Sequence, residues 1–376
     1  GSGLFSYALL LNGGLAHIDG LSEGEGGYIS DMLSLYDAGG LPARQFQDML
    51  TVNGVSLSAQ VGLNTMSLRG SAPKQKLNMV LQALLSLAND RRLNPDEYKA
   101  YARGEAIRPE DPEARLWTLM HPSFAPTARK APGALTEETM ARADRFFESR
   151  FSRVNDGMLI LCGDLDETTV RKALQKYLGG FRTLKGTTSR KAVHFQSLSG
   201  TTTYTQEGAD KSIRILLETE YPLTAANFLS SSFVEEVLRR SLVRALAGTD
   251  LSVSVRSTFL AQPQERFSLL VTAVPLAGTS PDMLKGIQAV RSGIRAAATE
   301  PVSEADIKAW RNRAQQTLAN QLSSPETVVS QVLARYGLGK DLVSKYTETL
   351  SAADAARVHQ MLEKTIGGGC VEYLIY

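Results

Sequence analysis

The chain has 376 residues, with 41 Lys and Arg against 39 Asp and Glu, and a formal net charge of +2 leaves no basic footprint of the kind a nucleic-acid binder carries. At roughly 150 residues per domain this length suggests two or three domains, large enough to bury about three quarters of the unfolded surface without a metal or disulfide staple. The longest apolar runs, such as Val80–Ala88, fall far short of the ~20 residues of a membrane span, so no membrane span is expected.

The chain opens on Gly1-Ser2-Gly3 rather than Met, with no export signal, and reads as a fragment or a mature segment. Gly24-Glu25-Gly26-Gly27 lacks the Lys and Ser/Thr of a phosphate loop and reads as a turn ahead of a helix through Tyr28–Leu33. Gly54–Leu63 alternates like a half-buried strand, and Leu77–Leu87 is apolar at helical spacing. Asp96–Tyr101 lies on a further helix, Leu135–Glu138 begins another, and Met158–Cys162 is an apolar strand. From Lys185 to Thr203 Gly, Ser and Thr dominate and periodicity is lost, as at a junction. Ser230-Ser231-Ser232 reads as a helix N-terminus and not a nucleophile, because no Gly-x-Ser-x-Gly elbow surrounds it. A helix then carries Phe233–Leu238, and Leu251–Arg256 alternates as a strand. Leu284–Ile294, Ala305–Trp310 and Leu350–Ala353 repeat the helical strings of the first half, and Cys370–Tyr376 closes the chain as a strand. Cys162 and Cys370 allow at most one bridge, read as core thiols, and leave the compartment open between periplasm and cytoplasm.

The matching strings keep their order at an offset of about 205 to 215 residues, which predicts a whole-domain duplication. Two homologous domains are expected, residues 1–190 and 200–376. Each is expected to be α+β, with a mixed or antiparallel sheet packed with helices.

Gly39-Gly40-Leu41-Pro42, Gly54-Val55, Leu93-Asn94-Pro95-Asp96-Glu97-Tyr98, and Gly163-Asp164-Leu165-Asp166 leading to Lys176-Tyr177-Leu178-Gly179-Gly180 occur in the order and at the spacing of one family. Over essentially its whole length the chain resembles a half of an insulinase/pitrilysin zinc peptidase, the family that includes the mitochondrial processing peptidases. The resemblance implies catalysis by an inverted motif, His-x-x-Glu-His, on the first helix. Two imidazoles one helical turn apart share one ion, and the Glu between them activates the bound water. In this sequence the His positions read Gly27 and Asp31 and the Glu position reads Ser30. The family's third ligand, a Glu some seventy-odd residues on, falls near Glu105, whose alternative reading is a solvated helix carboxylate. The second copy offers Glu235 and Glu236 with no His, and the four His of the chain, His17, His121, His194 and His359, form no helical pair. The resemblance further implies a substrate-binding string, Arg-Glu-x-x-Gly-x-x-Tyr. Arg244 and Gly248 match it and Leu251 replaces the Tyr, so Arg244 reads either as a substrate contact or as a helix-end cation.

No metal ligand set and no catalytic residue is therefore expected in this chain, and zinc is expected in a catalytic partner half, in the same parent chain or as a separate subunit. The expected role is a non-catalytic half from a bacterial peptidase that closes a peptide chamber and helps hold an extended peptide by strand addition. A stand-alone scaffold that keeps the fold, and an active metallopeptidase with an unrecognised site, are the competing readings.

Overall fold

A computed structural model describes residues 3–124, 126–127 and 129–376. The first half of the chain forms β1 (Leu4–Asn12), α1 (Gly26–Met32), β2 (Tyr36–Ala38), α2 (Ala43–Val52), β3 (Ser58–Val61), β4 (Thr65–Pro73) and α3 (Leu77–Asn89). It continues through β5 (Arg91–Leu93), α4 (Pro95–Ala106), α5 (Pro112–Met120), α6 (Glu137–Phe151), β6 (Gly157–Gly163) and α7 (Glu167–Tyr177). The second half forms β7 (Thr201–Gln206), β8 (Ser212–Glu220), α8 (Ala225–Ala245), β9 (Leu251–Leu260), β10 (Arg266–Pro275) and α9 (Met283–Ala297). It ends with α10 (Glu304–Leu322), α11 (Pro325–Leu338), α12 (Tyr346–Ser351), α13 (Ala355–Ile366) and β11 (Gly369–Ile375). Helices and strands thus interleave as an α+β fold.

The chain divides into two compact units, each built from three segments. Unit 1 comprises residues 1–110, 125–193 and 321–339, and unit 2 comprises 111–124, 194–320 and 340–376. Each unit therefore takes one helix from the other half of the sequence, α11 in unit 1 and α5 in unit 2.

In unit 1 the sheet order is β3-β4-β1-β6, all antiparallel. β1 is central, and its continuous apolar run is what a strand covered on both faces needs. On one face Tyr7, Leu9 and Leu11 join a core with Leu81, Leu84, Phe147 and Phe151 of α3 and α6. On the other, Ala8 and Ile160 meet Val329 of α11. The string Gly39-Gly40 makes the turn after β2 with both residues at positive φ, 60° and 75°, a conformation glycine adopts without a steric penalty. Asn94 caps α4, its side chain accepting the N–H groups of Asp96 and Glu97, with Pro95 at the first helical position. The junction residues are tied to unit 1: Lys191 N–H donates to Asn64 at 2.8 Å and Thr188 N–H to Asp156 at 2.5 Å.

In unit 2 the sheet order is β7-β11-β8-β10-β9, antiparallel except for the parallel pair β7–β11. Discounting β7, this repeats the strand order of unit 1. α8, α9 and α13 cover one face through Phe233, Val237, Val290 and Met361, and α5 covers the other through Leu116 and Met120 on Leu216, Leu270 and Val371. Where α5 ends, His121 Nε2 lies 2.8 Å from Glu218, a fully buried carboxylate that also accepts from Arg266 and from the hydroxyls of Ser197 and Ser268.

Two sequence expectations are corrected here, and the junction is located. The helix expected to start at Ser230–Ser232 begins at Ala225 with Thr224 as its cap, and the serines sit inside it, Ser231 and Ser232 bonding the carbonyls three residues back. Within the junction range Lys185–Thr203 the chain passes from unit 1 to unit 2 after Val193, and β7 begins at Thr201. Cys162 and Cys370 are free thiols that are half-buried rather than core residues.

Candidate functional site

The motif positions lie on α1, a short helix whose entry is fixed by Glu25. Its buried carboxylate accepts from Ser22 N–H at 2.7 Å and from Thr139 Oγ1 at 2.6 Å, and pairs with Arg142 at 2.9 Å. The two glycines that follow have a steric cause. A Cβ on Gly26 would stand 2.0 Å from the carbonyl oxygen of Thr127, and one on Gly27 would stand 2.3 Å from the carbonyl of Arg129 and 2.7 Å from Lys130 Cγ. Thr127 and residues 129–131 thus lie directly on the helix backbone as a strap. It is held by Gly27 N–H on Arg129 C=O at 2.7 Å, by Ala131 N–H on Gly24 C=O at 3.2 Å, and by the Tyr28 phenol on Ala131 C=O at 2.9 Å.

The strap carries Lys130 to the motif. Its ammonium donates to Asp31 Oδ2 and lies 5.3 Å from the centre of the Tyr28 ring. Tyr101 of α4 donates to the same oxygen at 2.8 Å and meets Tyr28 edge to face at 6.3 Å. Burial first, then the bond and charge of Asp31, raise the Tyr101 phenol, and burial also raises Tyr28, so both stay protonated donors near neutral pH. Arg129 remains a cation even though burial lowers its guanidinium to about 10.

Glu105 is 5% exposed, so the reading of a solvated carboxylate is corrected. One oxygen lies 3.0 Å from Arg108, one turn on along the chain, and the other has no hydrogen-bond partner among the described residues. Ser30, at the Glu position, accepts the Val61 N–H of β3 at 2.9 Å. In unit 2 Glu235 does the same for Ser257 of β9 at 2.6 Å, and Glu236 pairs with Arg313 at 2.7 Å. Arg244 sits in the last turn of α8, 64% exposed, and pairs with Glu300. His17, His121 and His359 bond Ser189 C=O, Glu218 and Glu300 C=O respectively, three separate places.

These residues do not fit zinc. Gly27 has no donor atom and no room for one, Asp31 is already paired with Lys130, and Glu105 with Arg108. A catalytic zinc site normally takes three protein ligands and a water. Among the described residues no group of three or more His, Cys, Asp or Glu is placed to hold a metal. What the arrangement offers is a hydrogen-bonded cluster in which the Lys130 ammonium pairs with Asp31 at the motif position. Sequence reasoning missed Lys130, whose strap carries no periodicity, and with it the roles of Tyr101 on α4 and Tyr28 on α1. The signal that could have found them is the Gly26-Gly27 pair inside a helix, where close backbone approach is the usual reason for glycine.

No protein-family model matches this sequence, and no curated protein sequence matches it. Solved structures do. The periplasmic protease PqqL from Escherichia coli superposes with a TM-score of 0.78 at 13% identity, over 100% of this chain and 43% of that one. A protease from Helicobacter pylori gives 0.72 at 12% identity, over 99% and 94%. A peptidase M16 inactive domain from Pseudomonas fluorescens gives 0.72 at 13% identity, over 99% and 93%. This chain therefore spans less than half the length of PqqL. At such identities the likeness establishes the fold: that of an insulinase/pitrilysin (M16) peptidase half, here without His-x-x-Glu-His.

Proposed function

We propose that this chain is the non-catalytic half, or a non-catalytic subunit, of an M16-type zinc metallopeptidase, assembled from two copies of one domain. A catalytic half, in the same parent chain or as a separate subunit, supplies zinc and the attacking water. This half closes the peptide chamber and helps hold an extended peptide. The observation that carries the reading is the strap on α1: Lys130 neutralises Asp31, and the Arg129 carbonyl fills the place a side chain at position 27 would take. A scaffold with no peptide-handling role and an active enzyme with another site are the outcomes that would displace it.

The fold supports the reading, since the equal strand orders of the two sheets suit a duplicated peptidase half. So does the spread of neighbours: a whole protease more than twice this length, and an inactive domain of nearly this length. These neighbours are bacterial, in line with a bacterial source. The test has two arms. Metal analysis of the dialysed chain should find far less than one zinc per chain, and the chain alone should cleave no unfolded protein. Mixed with its catalytic half, the chain should restore cleavage that neither shows alone. Stoichiometric zinc with chelator-sensitive cleavage by the chain alone would overturn the proposal, and so would a catalytic half indifferent to its presence.

A further inference from the structure

The sheet of unit 1 carries a group of polar side chains on the face that α11 covers only in part. Ala8 and Ile160 lie against Val329 there. Cross-strand partners, and residues two apart on one strand, share a face. Ser6 stands two residues before Ala8 and is paired with Ser71, while Ala8 is paired with Arg69, so all three side chains lie on the α11 face. Ser56 N–H bonds Ser71 C=O at 2.9 Å and carries the row of serines one strand further. Over this row opens a cavity of about 230 Å³, bounded by Ser6, Ser71 and Arg69 of the sheet and by Glu326 and Val329 of α11. Its polar groups are mostly donors, and several are unused. Ser6 is 5% exposed, yet among the described residues no hydrogen bond engages its hydroxyl. A buried hydroxyl left unpaired costs about 1–3 kcal/mol, which points to a missing acceptor. The Ser71 hydroxyl meets only that of Ser56, at 3.2 Å. Arg69 Nη1 donates to Gln60 at 3.0 Å, but Nη2 stands 3.6 Å from Glu326, too far for a hydrogen bond. The start of α11 is also open: Ser324 makes no side-chain cap bond and Pro325 follows it, so the positive end of the helix lacks a counter-group other than Glu326.

The geometry points to a binding site for a phosphate group, free or as a small phosphomonoester, held by Arg69, the hydroxyls of Ser6 and Ser71, and the N-terminus of α11. A tetrahedral oxyanion presents acceptors on every side, which suits donors arriving from β1, β4 and a helix start. A planar carboxylate satisfies fewer of them at once. A cation is the poorer occupant, because Arg69 already stands in the lining and Glu326 is its one carboxylate. Glu326 is 72% exposed and bound to Arg69 by no hydrogen bond, so it can turn into solvent when an anion enters. Until then it partly satisfies the guanidinium, and its charge weakens the site. All the groups involved belong to unit 1, and the site stands apart from the peptidase-half reading.

The test titrates the whole chain with inorganic phosphate, with glycerol 1-phosphate and with acetate, by calorimetry at constant ionic strength. Phosphate or its ester should bind saturably and more tightly than acetate. The tighter of the two identifies the source, a free anion or a phosphomonoester. Arg69→Gln should weaken binding by at least about tenfold, and Ser6→Ala by about two- to tenfold. Glu326→Gln should tighten it by about two- to fivefold, a gain that a misfolded variant could not show. Circular dichroism melting checks that each variant keeps the fold. No saturable binding of either phosphate compound overturns the site, and so does an affinity that neither Arg69→Gln nor Glu326→Gln moves. Acetate binding as tightly as phosphate overturns the choice of a tetrahedral oxyanion.

Discussion

Replacing Gly27 by Ala tests the strap directly. The new Cβ would stand 2.3 Å from the carbonyl carbon and oxygen of Arg129 and 2.7 Å from Lys130 Cγ. The first obstacle is backbone, which cannot swing aside as a side-chain tip does, so the strap must lift. Lifting breaks the 2.7 Å bond from Gly27 N–H to Arg129 and loosens those joining Ala131 to Gly24 and Tyr28. Overpacking costs ~1–3 kcal/mol and each lost hydrogen bond ~0.5–1.5 kcal/mol, against ~1 kcal/mol returned by Ala as a better helix former. The net expectation is a loss of about 2–3 kcal/mol, or about 4–12 °C in Tm for a unit of this size. Gly104→Ala is the control, because Gly104 lies within α4 with nothing inside 4 Å of a Cβ, and it should stabilise by ~0.5–1 kcal/mol. The assay is thermal unfolding by circular dichroism with hydrogen exchange at Arg129 and Lys130. Fluorescence would report on the other unit, since Trp117 and Trp310 both lie in unit 2. A Tm untouched by Gly27→Ala, with no faster exchange in the strap, would refute the reasoning.

Burial alone would push the Glu218 carboxyl up, yet the bonds and charges of His121 and Arg266 more than reverse it and hold it below the ordinary 4.5. Its contribution is thus complete above about pH 4.5 and is lost as pH falls through the lower folded value, so the Tm read by Trp117 fluorescence should drop on acidification. Glu218→Ala, which leaves Arg266 and His121 buried beside no carboxylate, should cost about 3–5 kcal/mol, and a Tm change of less than about 2 °C would contradict this. Burial pushes the Cys370 thiol up to about 11, so at pH 8 iodoacetamide should label it orders of magnitude more slowly than glutathione, as followed by mass spectrometry. Arg244→Ala in a mixed complex with the catalytic half should weaken cleavage about ten- to a hundredfold if the guanidinium leaves Glu300 for substrate. Unchanged cleavage would leave Arg244 a helix-end cation.

Local signals carried most of the element order. The helical string Asp96–Tyr101, the alternation through Leu251–Arg256 and the apolar spacing of Leu77–Leu87 all became the elements they suggested. They work because capping, pleat and helical period act within a few residues. The degenerate motif was legible for the same reason, as Gly27, Ser30 and Asp31 share one helix. Glu105 was misread because what buries it comes from elsewhere: α4 is polar by composition, and its neighbour Tyr28 lies on α1. Ser230–Ser232 misled because serine favours a cap in isolation, while Thr224 after Pro222 held the better position and the serine hydroxyls found carbonyls inside the helix. The strap is a tertiary contact with no local period, visible in the sequence only through the glycines that admit it.

The helix that each unit takes from the other half of the sequence sets a timetable for synthesis. When Val193 leaves the ribosome, the first sheet has all its strands but lacks α11, and Ala8 and Ile160 wait for the cover that Val329, Val332 and Leu333 give them. At ~5–20 residues per second, the roughly 150 residues still to come take about 7–30 s, during which a sticky sheet face stays open to chaperones or to other nascent chains. A fragment cut at the junction would never leave that state. Separate expression of the two sequence halves should therefore give aggregation-prone products, rescued by co-expression.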